Sequence, residues 1–271
     1  MFTLPKAGFG TTQFWYGTKP DLFETMLFAV QEGGIRLIDT AEMYGDGRCE
    51  EAVGRLIRTV GRDSLCITDK ILPEHANSRD FFASLDRSLT LLGTDYIDLY
   101  LLHWREDADL AEMCSLMEEA RTAGKIREWG VSNFDTADME DLLSVKYGEN
   151  CRVNQIFYNP LHRGIEFDLM PWQKEKDIRL MSYSTLDRKV ARSTLLEKEE
   201  IRSILETEHI PVEALMLAFN IHHDVCALFQ TKSVTHLKDN LKGLTFDISP
   251  YMEIIDRACP PPSAKVPMEK R

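Results

Sequence analysis

The stretch RLIDTAEMY, Arg36 to Tyr44, decides how this chain is read. Leu37 and Ile38 form the apolar body of a short strand, and Asp39, Glu42 and Tyr44 then arrive with no apolar partner in sequence. Burying a carboxylate without a partner costs several kcal/mol. Asp39 at the outlet of a buried strand therefore calls for a cation or hydrogen-bond donor from elsewhere in the chain. Two more apolar runs supply candidates: LCITDK ends on Lys70, and YIDLYLLHW delivers His103. Asp39, Tyr44, Lys70 and His103 each fall at or just beyond the end of a strand.

Working outward, short apolar runs alternate with helical patterns along the whole chain. AGFGT (Ala7 to Thr11) reads as the first strand and RLIDT as the second. A helix from about Asp21 to Glu32 lies between them, with Leu22, Met26, Ala29 and Val30 on one face, and Gly33 and Gly34 stop it. LCITDK and YIDLYLLH are the third and fourth strands, and KIREWGVSN (Lys125 to Asn133) is the fifth. VNQIFYN (Val153 to Asn159), RLMSYST (Arg179 to Thr185) and CALFQTK (Cys226 to Lys232) complete the set. Helices are expected over Cys49 to Thr59, Ser78 to Leu92 and Leu110 to Ala123, and another is capped by Asp135. A long helical region before the last strand divides near Pro211.

Eight strand-helix units of about 34 residues predict a single-domain (β/α)8 TIM barrel, an α/β fold. We assign residues 1–258 to the barrel and 259–271 to a polar, proline-rich C-terminal tail. A doubly wound sheet shares this rhythm, but the first strand-to-helix turn, GFGTTQFWYG, lacks the G-x-G-x-x-G fingerprint of that fold. In a barrel the working loops follow the strands. The polar outliers Thr11, Asp39, Tyr44, Lys70, His103, Ser132, Asn133, Gln155, Tyr183, Lys232 and Ser233 all fall there.

Composition narrows the function. A formal net charge of −12 argues against nucleic-acid binding, and no apolar run approaches the ~18 residues that cross a membrane. The amino-terminal MFTLPKAGFG lacks the pattern of an export signal, so a cytoplasmic protein is expected. Cys49, Cys66, Cys114, Cys151, Cys226 and Cys259 show no C-x-x-C pair and no histidine at ligand spacing, so they read as reduced thiols rather than metal ligands.

If the four outliers converge, their chemistry is specific. A phenol titrates near 10 and is a poor acid at neutral pH, but an adjacent ammonium favours its phenolate. Asp39 would keep Lys70 charged and in place, Tyr44 would act as general acid to a carbonyl oxygen, and His103 would orient that oxygen. The set holds no nucleophile and no metal, so whatever attacks the carbonyl carbon must come from a bound cofactor. Taken singly, Asp39 and Lys70 read as a buried ion pair, His103 as a core histidine and Tyr44 as a loop aromatic.

The stretches LIDTAEMYGDGRCEEAVGRLI, LCITDKI, LGTDYIDLYLLHW, GKIREWGVSNFD and VNQIFYN, and more loosely MSYSTLD and TKSVTHLKDNL, resemble the aldo-keto reductases over nearly the full length. The resemblance is to bacterial members acting on small aldehydes such as methylglyoxal. It implies that Asp39, Tyr44, Lys70 and His103 are the catalytic tetrad. NADPH, with NADH as the alternative, would deliver hydride to a small aldehyde or ketone. It further implies that Ser132, Asn133 and Gln155 hold the carboxamide, that Tyr183 stacks on the nicotinamide, and that Gly10 and Thr11 line the site. Lys232 and Ser233 would hold the adenosine-side phosphate, with Asp239 and Asn240 near the adenine.

Some of these residues have local explanations too. Ser132 and Asn133 are placed to cap the helix after them, Gln155 and Tyr183 suit a barrel interior, and Lys232 suits a solvated surface. The sequence also departs from the family pattern. Thr185, Leu186 and Asp187 stand where Pro-Leu-Gly is usual, and Asp187 would repel a pyrophosphate. The segment from Lys232 to Asn240 is shorter than usual, and Lys238 or His236 would replace an arginine at the 2′-phosphate. Trp15 and Trp104 are candidate walls of a substrate pocket. A monomer is expected. The rival expectation is a slow-turnover nicotinamide-binding redox sensor or regulatory subunit on the same barrel.

Overall fold

The computed structural model describes residues 3–12, 20–186 and 190–269. Its strands are β1 (Ala7–Gly10), β2 (Leu37–Asp39), β3 (Cys66–Ile71), β4 (Ile97–Leu102), β5 (Ile126–Ser132), β6 (Val153–Phe157), β7 (Arg179–Tyr183) and β8 (Cys226–Phe229). They form a closed barrel in chain order, and every neighbouring pair is parallel, including β8 with β1. Around them run α1 (Pro20–Gln31), α2 (Arg48–Val60), α3 (Phe81–Leu92), α4 (Leu110–Thr122), α5 (Thr136–Ser144) and α6 (Leu169–Glu175). The circuit continues with α7 (Val190–Glu197), α8 (Glu199–Glu208), α9 (Val212–His222), α10 (Val234–Leu241) and α11 (Met252–Ala258).

Side chains of a strand alternate between faces, and here the inward row changes character along its length. Leu4, Leu37, Leu99, Leu101, Val153, Met181, Cys226 and Leu228 pack together as an apolar plug. Two residues further on, the same rows carry Asp39 after Leu37, His103 after Leu101, Gln155 after Val153 and Tyr183 after Met181. The polar end is thus a direct continuation of the apolar floor, and the fold collects these side chains at one mouth. The outward row packs Phe9, Ile38, Ile67, Tyr100, Trp129 and Ile156 against the helices. At Gly130 the backbones of β5 and β6 come so close that a Cβ would lie 2.2 Å from the Val153 carbonyl oxygen.

Seven of the ladders end one to three residues earlier than the sequence patterns predict, because the chain turns into the mouth there, and β3 runs one residue further, to Ile71. Asn133 (φ 64°) and Ser184 (φ 51°) are left-handed, which leaves Asn133 outside β5 and Thr185 outside β7, and β6 stops at Phe157, short of Asn159. The third helix begins at Phe81 rather than Ser78, since the Asn77 side chain accepts from the Arg79 and Asp80 N–H groups and forms a turn. Asp135 caps α5 in a reciprocal capping box with Asp138. Pro211 heads α9 as expected, and the region before it is itself two helices, α7 and α8.

Candidate active site

Lys70, on β3, is fully buried, so its ammonium needs partners. Nζ lies 2.9 and 2.8 Å from the two Asp39 carboxylate oxygens, 2.8 Å from the Thr40 carbonyl and 3.5 Å from the Tyr44 hydroxyl. Asp39 also accepts a 2.8 Å bond from Gln155 Nε2 across the barrel, so its carboxylate is satisfied although only 4% exposed. Burial alone would push the Lys70 ammonium toward neutrality, but Asp39 and Tyr44 outweigh it and hold its pKa above the ordinary lysine value.

The Tyr44 ring lies edge-on to His103, with centroids 5.7 Å apart. The ammonium beside a phenol leads one to expect a lowered phenol pKa. In the folded chain, burial wins and Asp39 adds to it, so Tyr44 sits above its usual value while Lys70 and Thr12 pull it down in part. His103 is held well below the usual histidine range, first by burial and then by Lys70, and is neutral at pH 7. Its ring stacks on Trp104 at 3.8 Å, nearly parallel.

Asn133, turned inward by its left-handed backbone, donates to the His103 carbonyl and the Ser132 hydroxyl at 3.1 Å, and accepts from the Tyr183 hydroxyl at 2.7 Å. These groups wall a cavity of about 430 Å³, within the ~300–1,000 Å³ of small-ligand sites. Among the described residues its lining includes Gly10, Asp39, Tyr44, His103, Trp104, Ser132, Asn133, Gln155 and Tyr183.

Comparison with known proteins decides the family. Residues 6–257 match the model of the Aldo/keto reductase family. The methylglyoxal reductase YeaE of Escherichia coli (strain K12) is 35% identical, covering 98% of this chain and 95% of that protein. The chain belongs to the aldo/keto reductase family. The methylglyoxal reductase DkgB of Escherichia coli O157:H7 is 31% identical, over 89% of this chain and 87% of that protein. A crystal structure of an aldo-keto reductase from Klebsiella pneumoniae in complex with NADPH superposes with a TM-score of 0.94 at 36% identity, covering 99% of this chain and 95% of that chain.

Not every residue expected at this reductase's site reaches the cavity. Thr11 has the outward parity of Phe9. It is fully buried, with its hydroxyl bonded to the Asp39 carbonyl at 3.0 Å, and Thr12 lines the cavity in its place. This corrects the expectation for Thr11, and the alternation starting from Gly10 is the signal that finds Thr12. The same rule finds Gln230, two residues after Leu228, which also lines the cavity. Met43, Leu186 and Phe229 also line it and carry no comparable mark in sequence.

The adenosine-side set lies apart from this cavity, on and just before α10. Lys232 is exposed, and Ser233 uses its hydroxyl to cap α10 through the His236 N–H. Asp239 pairs with Lys242 at 2.9 Å, and Asn240 is buried. Of the two substitutes for the arginine, Lys238 lies 5.2 Å over the Phe28 ring and His236 is exposed. Thr185 folds back to within 3.0 Å of the Ser182 hydroxyl. Trp15 and Asp187 lie outside the described residues. No described helix is long and apolar enough to cross a membrane.

Proposed function

We propose that this reductase converts small aldehydes and ketones, methylglyoxal-like dicarbonyls among them, to alcohols at the expense of NADPH. Asp39, Tyr44, Lys70 and His103 form the catalytic set. The observation that carries this reading is the contact of one buried ammonium with both the Asp39 carboxylate and the Tyr44 hydroxyl, at the wall of a cavity shared with a neutral His103. The names of the relatives support the substrate class and the coenzyme.

The cavity fits a flat, amide-bearing group. Gly10 leaves its wall open, since a Cβ there would meet only the Phe229 carbonyl oxygen at 3.9 Å. Ser132, Asn133 and Gln155 offer short polar groups on one side, and the Tyr183 ring offers a face to stack on. Gln230 Nε2 and His103 Nδ1 are buried without a hydrogen-bond partner. Bound here, the reduced nicotinamide supplies the hydride.

The chain's own residues supply the rest. Tyr44 stays protonated in the resting site because burial raises it, so it carries the proton that the carbonyl oxygen needs as negative charge builds there. Once the proton leaves, the phenolate faces the Lys70 ammonium, and Asp39 fixes that ammonium on its other side. His103, uncharged, can donate a hydrogen bond to the same oxygen without competing for the proton. Lys232 and Ser233, with Asp239 and Asn240 beyond them, are proposed to meet the adenosine end.

We further propose a monomer made of a barrel over 1–258 and a tail over 259–271. A cytoplasmic location is supported by its six free thiols. The test is steady oxidation of NADPH in the presence of a panel of small aldehydes. Saturable turnover is expected, whereas tight coenzyme binding with no turnover on any of them would point to a sensor instead. Light scattering checks the monomer.

A further inference from the structure

Between Asp39 and Tyr44 the loop carries a second carboxylate, Glu42, that the reaction leaves unused. It is 5% exposed although nothing in its immediate sequence neutralises it. Its partners all come from the next unit of the barrel. Oε1 accepts the Leu72 N–H at 2.5 Å and lies 3.0 Å from His75 Nδ1, while Oε2 accepts the Ser84 hydroxyl. Leu72 stands two residues after Lys70, and Ser84 lies on α3. The backbone makes the same connection, since Glu42 N–H donates to the Lys70 carbonyl at 3.2 Å.

We propose that Glu42 is a positioning residue for carbonyl reduction. It pins the loop bearing Tyr44 to the end of the strand bearing Lys70, and so sets the distance between phenol and ammonium. That distance is 3.5 Å, at the outer limit of a hydrogen bond, so a small outward drift of the loop breaks it. Misplacing a catalytic group by about 1 Å can cost about 10²-fold in rate. A buried carboxylate suits the task because it accepts several donors at once, and charge-assisted bonds are roughly twice as strong as neutral ones. Glutamine keeps the shape and one acceptor for the Leu72 N–H, whereas alanine keeps neither. The inference rests on the proposed role of Tyr44, and the experiment separates the two.

The experiment compares the wild-type enzyme with Glu42→Ala and Glu42→Gln by steady-state kinetics, NADPH titration and ultraviolet titration of the Tyr44 phenol against a Tyr44→Phe blank. Glu42→Ala is expected to lower kcat about 10- to 100-fold, with KM and coenzyme Kd within about twofold. Its phenol should titrate higher, because the ammonium no longer favours the phenolate. Glu42→Gln should restore most of kcat. A folded Glu42→Ala enzyme with wild-type kcat and phenol titration would overturn the proposal, as would a glutamine variant as impaired as the alanine one.

If Glu42→Ala does not fold, Ser84→Ala removes one of the donors. A severalfold loss of kcat at constant coenzyme affinity is then expected, and an unchanged kcat refutes the pin. If the wild-type enzyme reduces no carbonyl at all, the function proposed for the site fails, and the phenol titration alone still decides the role of Glu42.

Discussion

Two consecutive residues of β3 meet burial in opposite ways. Lys70 points into the barrel and finds a carboxylate, whereas Asp69 points outward into the layer under α2 and α3 and finds another acid, Glu50. All of these groups are almost free of solvent contact. On the inner face opposite charges converge, and the ammonium is held above its usual pKa. On the outer face burial pushes Asp69 well above the ordinary carboxylate range, and Glu50 raises it further. Glu50 is raised as well, again chiefly by burial, despite help from Ser88 and Asp69. Tyr100 is buried beside them with its hydroxyl unpartnered, and Arg87 acts on Glu50 only from a largely exposed position. Burial is the same at the two positions, and the neighbour decides the sign: a counter-charge favours the charged form of Lys70, and a second acid disfavours that of Asp69.

The largest effects should come from breaking the inner pair. Lys70→Met leaves Asp39 buried with no cation, so a loss of about 3–5 kcal/mol in denaturant unfolding is expected, along with most of the carbonyl reduction. Asp69→Asn, one residue away, should change stability by no more than about 1 kcal/mol, since burial and Glu50 already disfavour the charged form of Asp69 and the amide keeps its shape. Equal losses in the two variants would show that the two faces do not differ as described.

Tyr44→Phe sharpens the comparison by separating chemistry from stability. The rate of reduction is expected to fall about 10²- to 10⁴-fold, with coenzyme affinity nearly unchanged and little loss in thermal midpoint, because the phenol's ring packing survives. Wild-type activity in this variant would remove the proposed proton donor.

The smallest effect is the response of stability to pH. A carboxyl protonated in the native state and ionised when unfolded makes the native protein bind more protons. Its contribution is complete below the unfolded carboxylate range near about 4 and declines as pH rises toward the raised folded value. His103 acts in the opposite sense, since its lowered folded pKa costs stability as pH falls below about 6.5, so the measurement belongs above about pH 7. There the wild-type protein should lose stability as pH rises, by up to about 1.4 kcal/mol per pH unit for a proton held by Asp69, and Asp69→Asn should flatten that slope. Parallel slopes would mean that Asp69 is ionised in the folded state.

The barrel was legible because its signal is local. Each strand is a short apolar run with a polar residue at its outlet, and the rhythm of eight such runs survives without any knowledge of contacts. The convergence of Asp39, Tyr44, Lys70 and His103 was legible for the same reason, as all four stand at or beyond the same end of three neighbouring strands. Thr11 was misplaced because parity, and not nearness to a strand end, decides which side chain enters the mouth. Gln230 and Thr12 would have followed from that rule, while Met43 and Leu186 join the wall through the paths of their loops and Phe229 from the last position of β8.

By itself, the order of residues determined the repeat, the direction of every strand end, and the need of Asp39 for a cation, since these depend on periodicity and on the cost of burying a charge. Only the tertiary structure decided which acids received a cation and which faced another acid, that Tyr44 is raised and not lowered, and that Glu42 reaches across to the next unit. Desolvation and Coulomb forces are set by everything within several ångströms, and most of those neighbours lie about 30 or more positions away along the chain.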